Sequence, residues 1–111
     1  MREIKFRAWD KDNQRLIEWD EMRMAVLNKY FLLELLQYTG LHDKDGREIY
    51  EGDIIDARGQ YSENLPQPVI WWDTGWYVGY DDGKHNNVTA LHALEKPWVV
   101  GNLYENPDLL K

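Results

Sequence analysis

There is no cysteine anywhere in the 111 residues, which removes disulfides, thiolate metal sites and cysteine nucleophiles together and fits a reducing cytosol. Serine is nearly as scarce. The one copy, Ser62, lies in a polar, proline-bearing loop with no strand-turn-helix context, so a hydrolase nucleophile has no setting. Long apolar runs are missing too. The densest, residues 30–36, is interrupted by Glu34 and falls well short of the roughly 18 to 20 residues a membrane span needs. The first dozen residues alternate in polarity, unlike the continuous apolar stretch of a signal peptide. Positive charge is in deficit: 13 Lys and Arg against 20 Asp and Glu leave a net charge of −7. The deficit is spread along the chain, ten basic against thirteen acidic residues up to position 58 and three against seven after it. Such a field repels phosphate, so nucleic acid is not the expected partner, although a local basic patch remains compatible with the total.

What is present is apolar and aromatic. Hydrophobic residues make up 43 % and aromatics 14 % of a chain whose length suits one domain, residues 1–111, with a single modest core. Residues 2–9 alternate, with Ile4, Phe6 and Ala8 on one face and Glu3, Lys5, Arg7 and Trp9 on the other, the pattern of a half-buried strand. The polar cluster at 10–14 then predicts a hairpin to a short strand at 15–19. Residues 20–37 are apolar on nearly every side. The preferred reading is a short helical or irregular piece over roughly 21–29 and a strand from about 32 to 39 that ends at Gly40.

The central stretch, YTGLHDKDGREIYEGDII, reads as turn chemistry. Gly40 can take positive φ and stop a strand. Asp45-Gly46 between two alternating segments is a strong hairpin signal, and a second reversal follows at Gly52. Asp53 then offers a carboxylate to nearby backbone N–H groups before a strand at 54–58. Further on, residues 67–72 and 76–80 are aromatic and β-branched and predict a hairpin across Asp73-Thr74-Gly75. Residues 88–94 suit either a strand or one helical turn, and a final strand is expected at 98–103 after Pro97. Many short strands separated by glycine turns indicate a small all-β barrel or sandwich.

Three blocks, MREIKFRAWDK, LQYTGLHDKDGREIYEGDII and VVGNLYENPDLL, resemble the YopX family of small phage and prophage proteins, in that order and across most of the chain. The resemblance implies an SH3-like β-barrel with added hairpins and one short helix at most, a homo-oligomer, and residence in the bacterial host cytosol. It implies no established activity and no catalytic set.

The remaining constellations favour structure over chemistry. Residues 79–85 imitate a phosphate loop but carry three residues between the glycines, His after Lys, and two carboxylates. Asp43 and Asp45 imitate a calcium loop that lacks its closing Glu. His85 and His92 form at best a loose metal pair. The basic residues Arg2, Lys5, Arg7, Lys11 and Arg15 read as a solvated face, since Glu3 sits among them. The aromatics are more telling. Trp71 and Trp72 are adjacent, so in a strand they point to opposite faces, one toward a core and the other toward the surface. They contribute to a tryptophan-rich core, or with Trp76 and Tyr77 they form a contact patch. The expectation is a non-enzymatic interaction module without cofactor, metal or membrane. Its partner is a second copy of the chain, with a host protein bound by an acidic mimic, or a nucleic-acid-binding barrel, as alternatives. Gly40, Asp45, Gly46, Gly52 and Asp53 are assigned to turns.

Overall fold

The computed structural model describes residues 4–23, 34–58, 65–80 and 88–110. Among them are nine strands: β1 (Phe6–Asp10), β2 (Arg15–Ile17), β3 (Glu34–His42), β4 (Glu48–Tyr50), β5 (Asp53–Arg58), β6 (Gln67–Trp72), β7 (Gly75–Gly79), β8 (Val88–Ala90) and β9 (Glu95–Asn102). One short helix, α1 (Trp19–Arg23), and 3-10 turns at Leu91–Ala93 and Pro107–Leu110 complete them. The strands form two curled antiparallel sheets, ordered β2-β1-β3-β4 and β8-β7-β6-β5-β9. The expected small all-β, barrel-like architecture is what the chain adopts. No helix among the described residues is long and apolar enough to cross a membrane.

The core is aliphatic. Ile49, Ile55, Ala57, Val69, Val78, Leu91 and Leu94 pack together in the second sheet's concavity, with Leu65, Trp76 and Val99 against them. β-Branched residues suit this pleated interior, and each fully buried one contributes about 1.5–3 kcal/mol. A tryptophan-rich core is therefore not the solution found. Trp71 remains 51 % exposed and Trp72 is half-buried. The one deeply buried tryptophan is Trp9, stacked on Tyr104 at 5.3 Å, although alternation in β1 assigns it to the outer, charged face.

That face is not left to solvent, because the Tyr38, Tyr50 and Tyr104 rings and the Asp53 carboxylate lie against it. Ala8 and Ile17, paired across the hairpin, are fully buried on one side. On the other side Lys5 pairs with Glu48 and lies over the Tyr38 ring. Arg7 Nη1 reaches Asp53 at 3.2 Å, Arg7 Nε reaches Glu18 at 3.0 Å, and the guanidinium stacks on Tyr50 at 4.0 Å. Ile4, expected to point inward, is 68 % exposed beyond the end of the strand.

Gly40 also departs from expectation. Its φ of +87° is the positive value its residue type permits, but β3 continues through it to His42. The register shifts between Tyr38 and His42, so the glycine makes a bulge rather than an end. At the other end of the chain β9 begins earlier than expected and contains Pro97, tolerated because β9 is an edge strand and bulged there. Residues 88–94 satisfy both readings, a strand followed by a 3-10 turn.

Candidate functional site

The turn residues of the central block are held by local geometry. Asp43, 6 % exposed, accepts the N–H groups of Asp45 and Arg47 on Oδ1 at 2.9 Å each and that of Val99 on Oδ2 at 3.1 Å. Burial pushes its pKa up, but these three N–H groups and the Arg47 charge outweigh burial, and the net effect holds the carboxyl below its ordinary value. Its oxygens are thus engaged by the backbone, the turn-forming use expected of this block. Asp45 and Gly46, the latter at φ +84°, form the tip between β3 and β4 as expected. Lys44 N–H donates to Pro97 O at 2.7 Å and fastens this tip to β9.

Gly52, at φ +85°, turns the chain from one sheet into the other. Its N–H donates to Val69 O and its own carbonyl accepts from Leu103 N–H. Asp53 follows, 2 % exposed, with Oδ2 accepting the Tyr50 N–H at 2.8 Å and Oδ1 facing Arg7. Burial is the dominant influence and raises its pKa to about 6, against the pull of the Tyr50 N–H and Arg7. The expected turn former is therefore also half of a buried ion pair between the sheets. Arg7, the other half, is a functional partner that reading residue by residue missed, because the two positions lie 46 apart.

The aromatic hairpin has the expected register. Trp71 faces Trp76 across β6 and β7, and Trp72 faces Gly75 beside the two-residue turn. The rings pair edge to face, Trp71 on Trp76 at 5.0 Å and Trp72 on Tyr77 at 4.9 Å. Trp71 shares its sheet face with Val69 and Val78, but lies beyond the aliphatic cluster and is the outward-projecting member in exposure. Beside it a cleft of about 370 Å³ opens between the sheets, lined among others by Leu35, Leu36, Glu51, Ile70 and Tyr104. Leu35 is 56 % exposed. Glu51 accepts the Gln37 N–H at 3.3 Å. The Tyr104 hydroxyl is pushed up to about 12, first by burial and then by its hydrogen bond with Glu34. Leu35 and Leu36 were legible only as members of an apolar run.

The catalytic alternatives gain no support from these contacts. His92 is exposed on the 3-10 turn, and His85, Ser62 and most of the imitation phosphate loop lie outside the described residues. Among the described residues no group of three or more His, Asp and Glu side chains is placed to hold a metal ion.

A family model described as the YopX protein matches residues 25–111. The chain belongs to this family. The match takes in the central and C-terminal blocks that carry the resemblance, and the N-terminal block precedes it. No curated protein matches the sequence. Among solved structures, the crystal structure of protein EF1440 from Enterococcus faecalis is similar over 100 % of both chains, with a TM-score of 0.68 and 24 % identity. At that identity the likeness speaks for the YopX fold and not for an activity.

Proposed function

We propose that this YopX-family chain is a non-catalytic interaction module of phage or prophage type, acting in the host cytosol and assembling with further copies of itself through the Trp71 cleft. The observation that carries the reading is Trp71, half exposed yet braced edge-on by Trp76, which itself packs on the core. A large ring with its rotamer already restrained loses little further entropy on contact, which is why tryptophan dominates interface energetics. Leu35, also exposed and lining the same cleft, extends the apolar surface, and the family resemblance supplies the expectation of a second copy as occupant. A non-catalytic role is supported by the use of the buried acids: Asp43 and Asp53 are spent on backbone N–H groups and on Arg7.

Light scattering after size exclusion tests it. The 13.3 kDa chain is expected to run as a multiple of that mass, and Trp71→Ser to run as a folded monomer. A wild-type monomer at high micromolar concentration overturns the reading. The net charge of −7 favours a second one, an acidic surface that occupies a basic host protein. Salt-sensitive recovery of such a protein, undiminished by Trp71→Ser, is its expected signature.

A further inference from the structure

The described residues of this acidic chain gather three of its thirteen cations around one ring. Lys44, Arg58, Lys96 and Trp98 line an open pocket of about 380 Å³ on the outer side of the second sheet, at its β9 edge. Three separate devices bring them there. The tip between β3 and β4 is tied to β9 by the Lys44 N–H bond to Pro97 O, which sets Lys44 Nζ 5.5 Å from the centre of the Trp98 ring. Arg58 ends β5 beside β9. Lys96 is placed by a bulge: two steps along β5, Asp56 to Arg58, face three along β9, Trp98 back to Glu95.

The bulge holds Lys96 at φ +47°, a left-handed conformation that glycine adopts freely and lysine does not. Side chains kept in such backbone regions cluster at ligand sites, and bulges re-aim side chains there. Among the described residues the nearby acids compensate the pocket's charge only in part. Lys44 meets Asp45 only at 3.4 Å, with both side chains about half exposed. Asp56, across from Trp98, turns Oδ1 to the Ala57 N–H at 2.8 Å. Glu95 faces Arg58 in the register without an ion pair to it.

Three cations at the rim and an indole at the floor define a ligand with an anionic group and a flat ring. The geometry points to a nucleotide site, the phosphate held by Lys44, Arg58 and Lys96 and the base stacked on Trp98, which Lys44 uncovers by turning onto the phosphate. Exposed arginine and lysine side chains converging on one pocket favour phosphate, and base–indole stacking is indifferent to which base is present. The site is separate from the Trp71 cleft and does not depend on self-association. Its ligand is either a free nucleotide or one unit of a single strand, the same chemistry from two sources.

Calorimetric titration of the full chain at low salt tests it, with thymidine monophosphate, inorganic phosphate, a short oligothymidylate and a polyglutamate peptide as probes. Thymidine monophosphate is expected to bind about tenfold more tightly than phosphate, the difference a stacked base supplies. Trp98→Leu should erase that difference, and Arg58→Gln should weaken both ligands about fivefold. Lys96→Gly should weaken binding similarly while the melting temperature holds or rises, which separates lost charge from lost fold. Oligothymidylate binding more tightly than the monophosphate assigns the source to a strand, and equal or weaker binding assigns it to the free nucleotide. Absence of monophosphate binding at millimolar concentration, equal affinity for monophosphate and phosphate in the wild type, or preference for polyglutamate each overturns the proposal.

Discussion

The two ends of β5 lie about 17 Å apart and are built in opposite ways. At the Gly52–Asp53 end the polar groups are acidic and engaged. Asp53 has Tyr50 N–H and Arg7, Glu51 has Gln37 N–H, and the surface left over is the apolar cleft beside Trp71. At the Arg58 end the polar groups are basic and exposed, brought together from positions 44, 58 and 96 around one half-buried indole. The difference follows from where partners come from. Carboxylates near a tight turn find N–H donors within a few residues, whereas the long side chains of lysine and arginine carry their donors away from the backbone and meet acceptors mainly on other segments or in water. At these two ends the acids are absorbed into the structure and the cations are left on its rim.

The sharpest test of that contrast is Arg7→Met, which strips the buried end of its cation and keeps an apolar stem over Tyr50. Denaturant titration at pH 7 should show a loss of about 3 kcal/mol, the cost of stranding a buried carboxylate. The pH dependence has a definite sign. Asp53 has a folded pKa of about 6, above its ordinary 3.8, so between those values the folded chain holds a proton that the unfolded chain has released. Its contribution therefore favours the fold below about pH 4 and is lost as pH rises through 6. The Arg7→Met deficit should accordingly shrink at pH 5, and a deficit equal at pH 5 and pH 7 would contradict the assignment. Asp43 has the opposite sign: its pKa is lowered, so its contribution is present above the ordinary value and lost as pH falls through the folded one.

A somewhat smaller effect is expected at the crossing between the sheets. Gly52→Ala places a Cβ 3.3 Å from Tyr104 Cε2 in a backbone conformation that alanine rarely adopts, and should cost about 1–2 kcal/mol by thermal melting. At the basic end, Lys96→Gly relieves the same kind of strain and should stabilise the fold by about 0.5–1 kcal/mol. A destabilised Lys96→Gly chain would show that the left-handed lysine is held by packing and not tolerated for its charge. Trp71→Ser should cost the isolated chain about 0.5–1 kcal/mol, since half of the ring is already in solvent and the edge-on contact with Trp76 is what is lost. A large loss there would move Trp71 from interface to scaffold.

How much was legible divides along the same line. The hairpins at Asp45-Gly46 and at Asp73-Thr74, the reversal at Gly52 and the opposed directions of Trp71 and Trp72 were readable, since each depends on two to four consecutive residues. The fate of Gly40 was not: positive φ serves a strand end and a bulge equally, and only the pairing of His42 with Glu48 selects the bulge. Nor were the burial of Trp9 and the pairing of Arg7, because alternation sorts side chains by polarity, whereas Tyr104 on Trp9 and Asp53 on Arg7 arrive from distant positions. The aliphatic core was hidden for a related reason. Aromatic weight in β6 and β7 suggested a tryptophan core, but the concavity closes around Ile49, Ile55, Val69 and Leu91 before reaching the end of the hairpin where Trp71 lies.

By itself the amino-acid order determined the family, the all-β class and the places where the chain turns, because positive φ at glycine and side-chain acceptors beside it act over a single turn of backbone. Tertiary structure alone decided which charges are buried and which stay exposed, pairing Arg7 with Asp53 and bringing Lys44, Arg58 and Lys96 to one ring. Electrostatic partnership depends on distance in space, and distance along a folded chain carries almost no information about it.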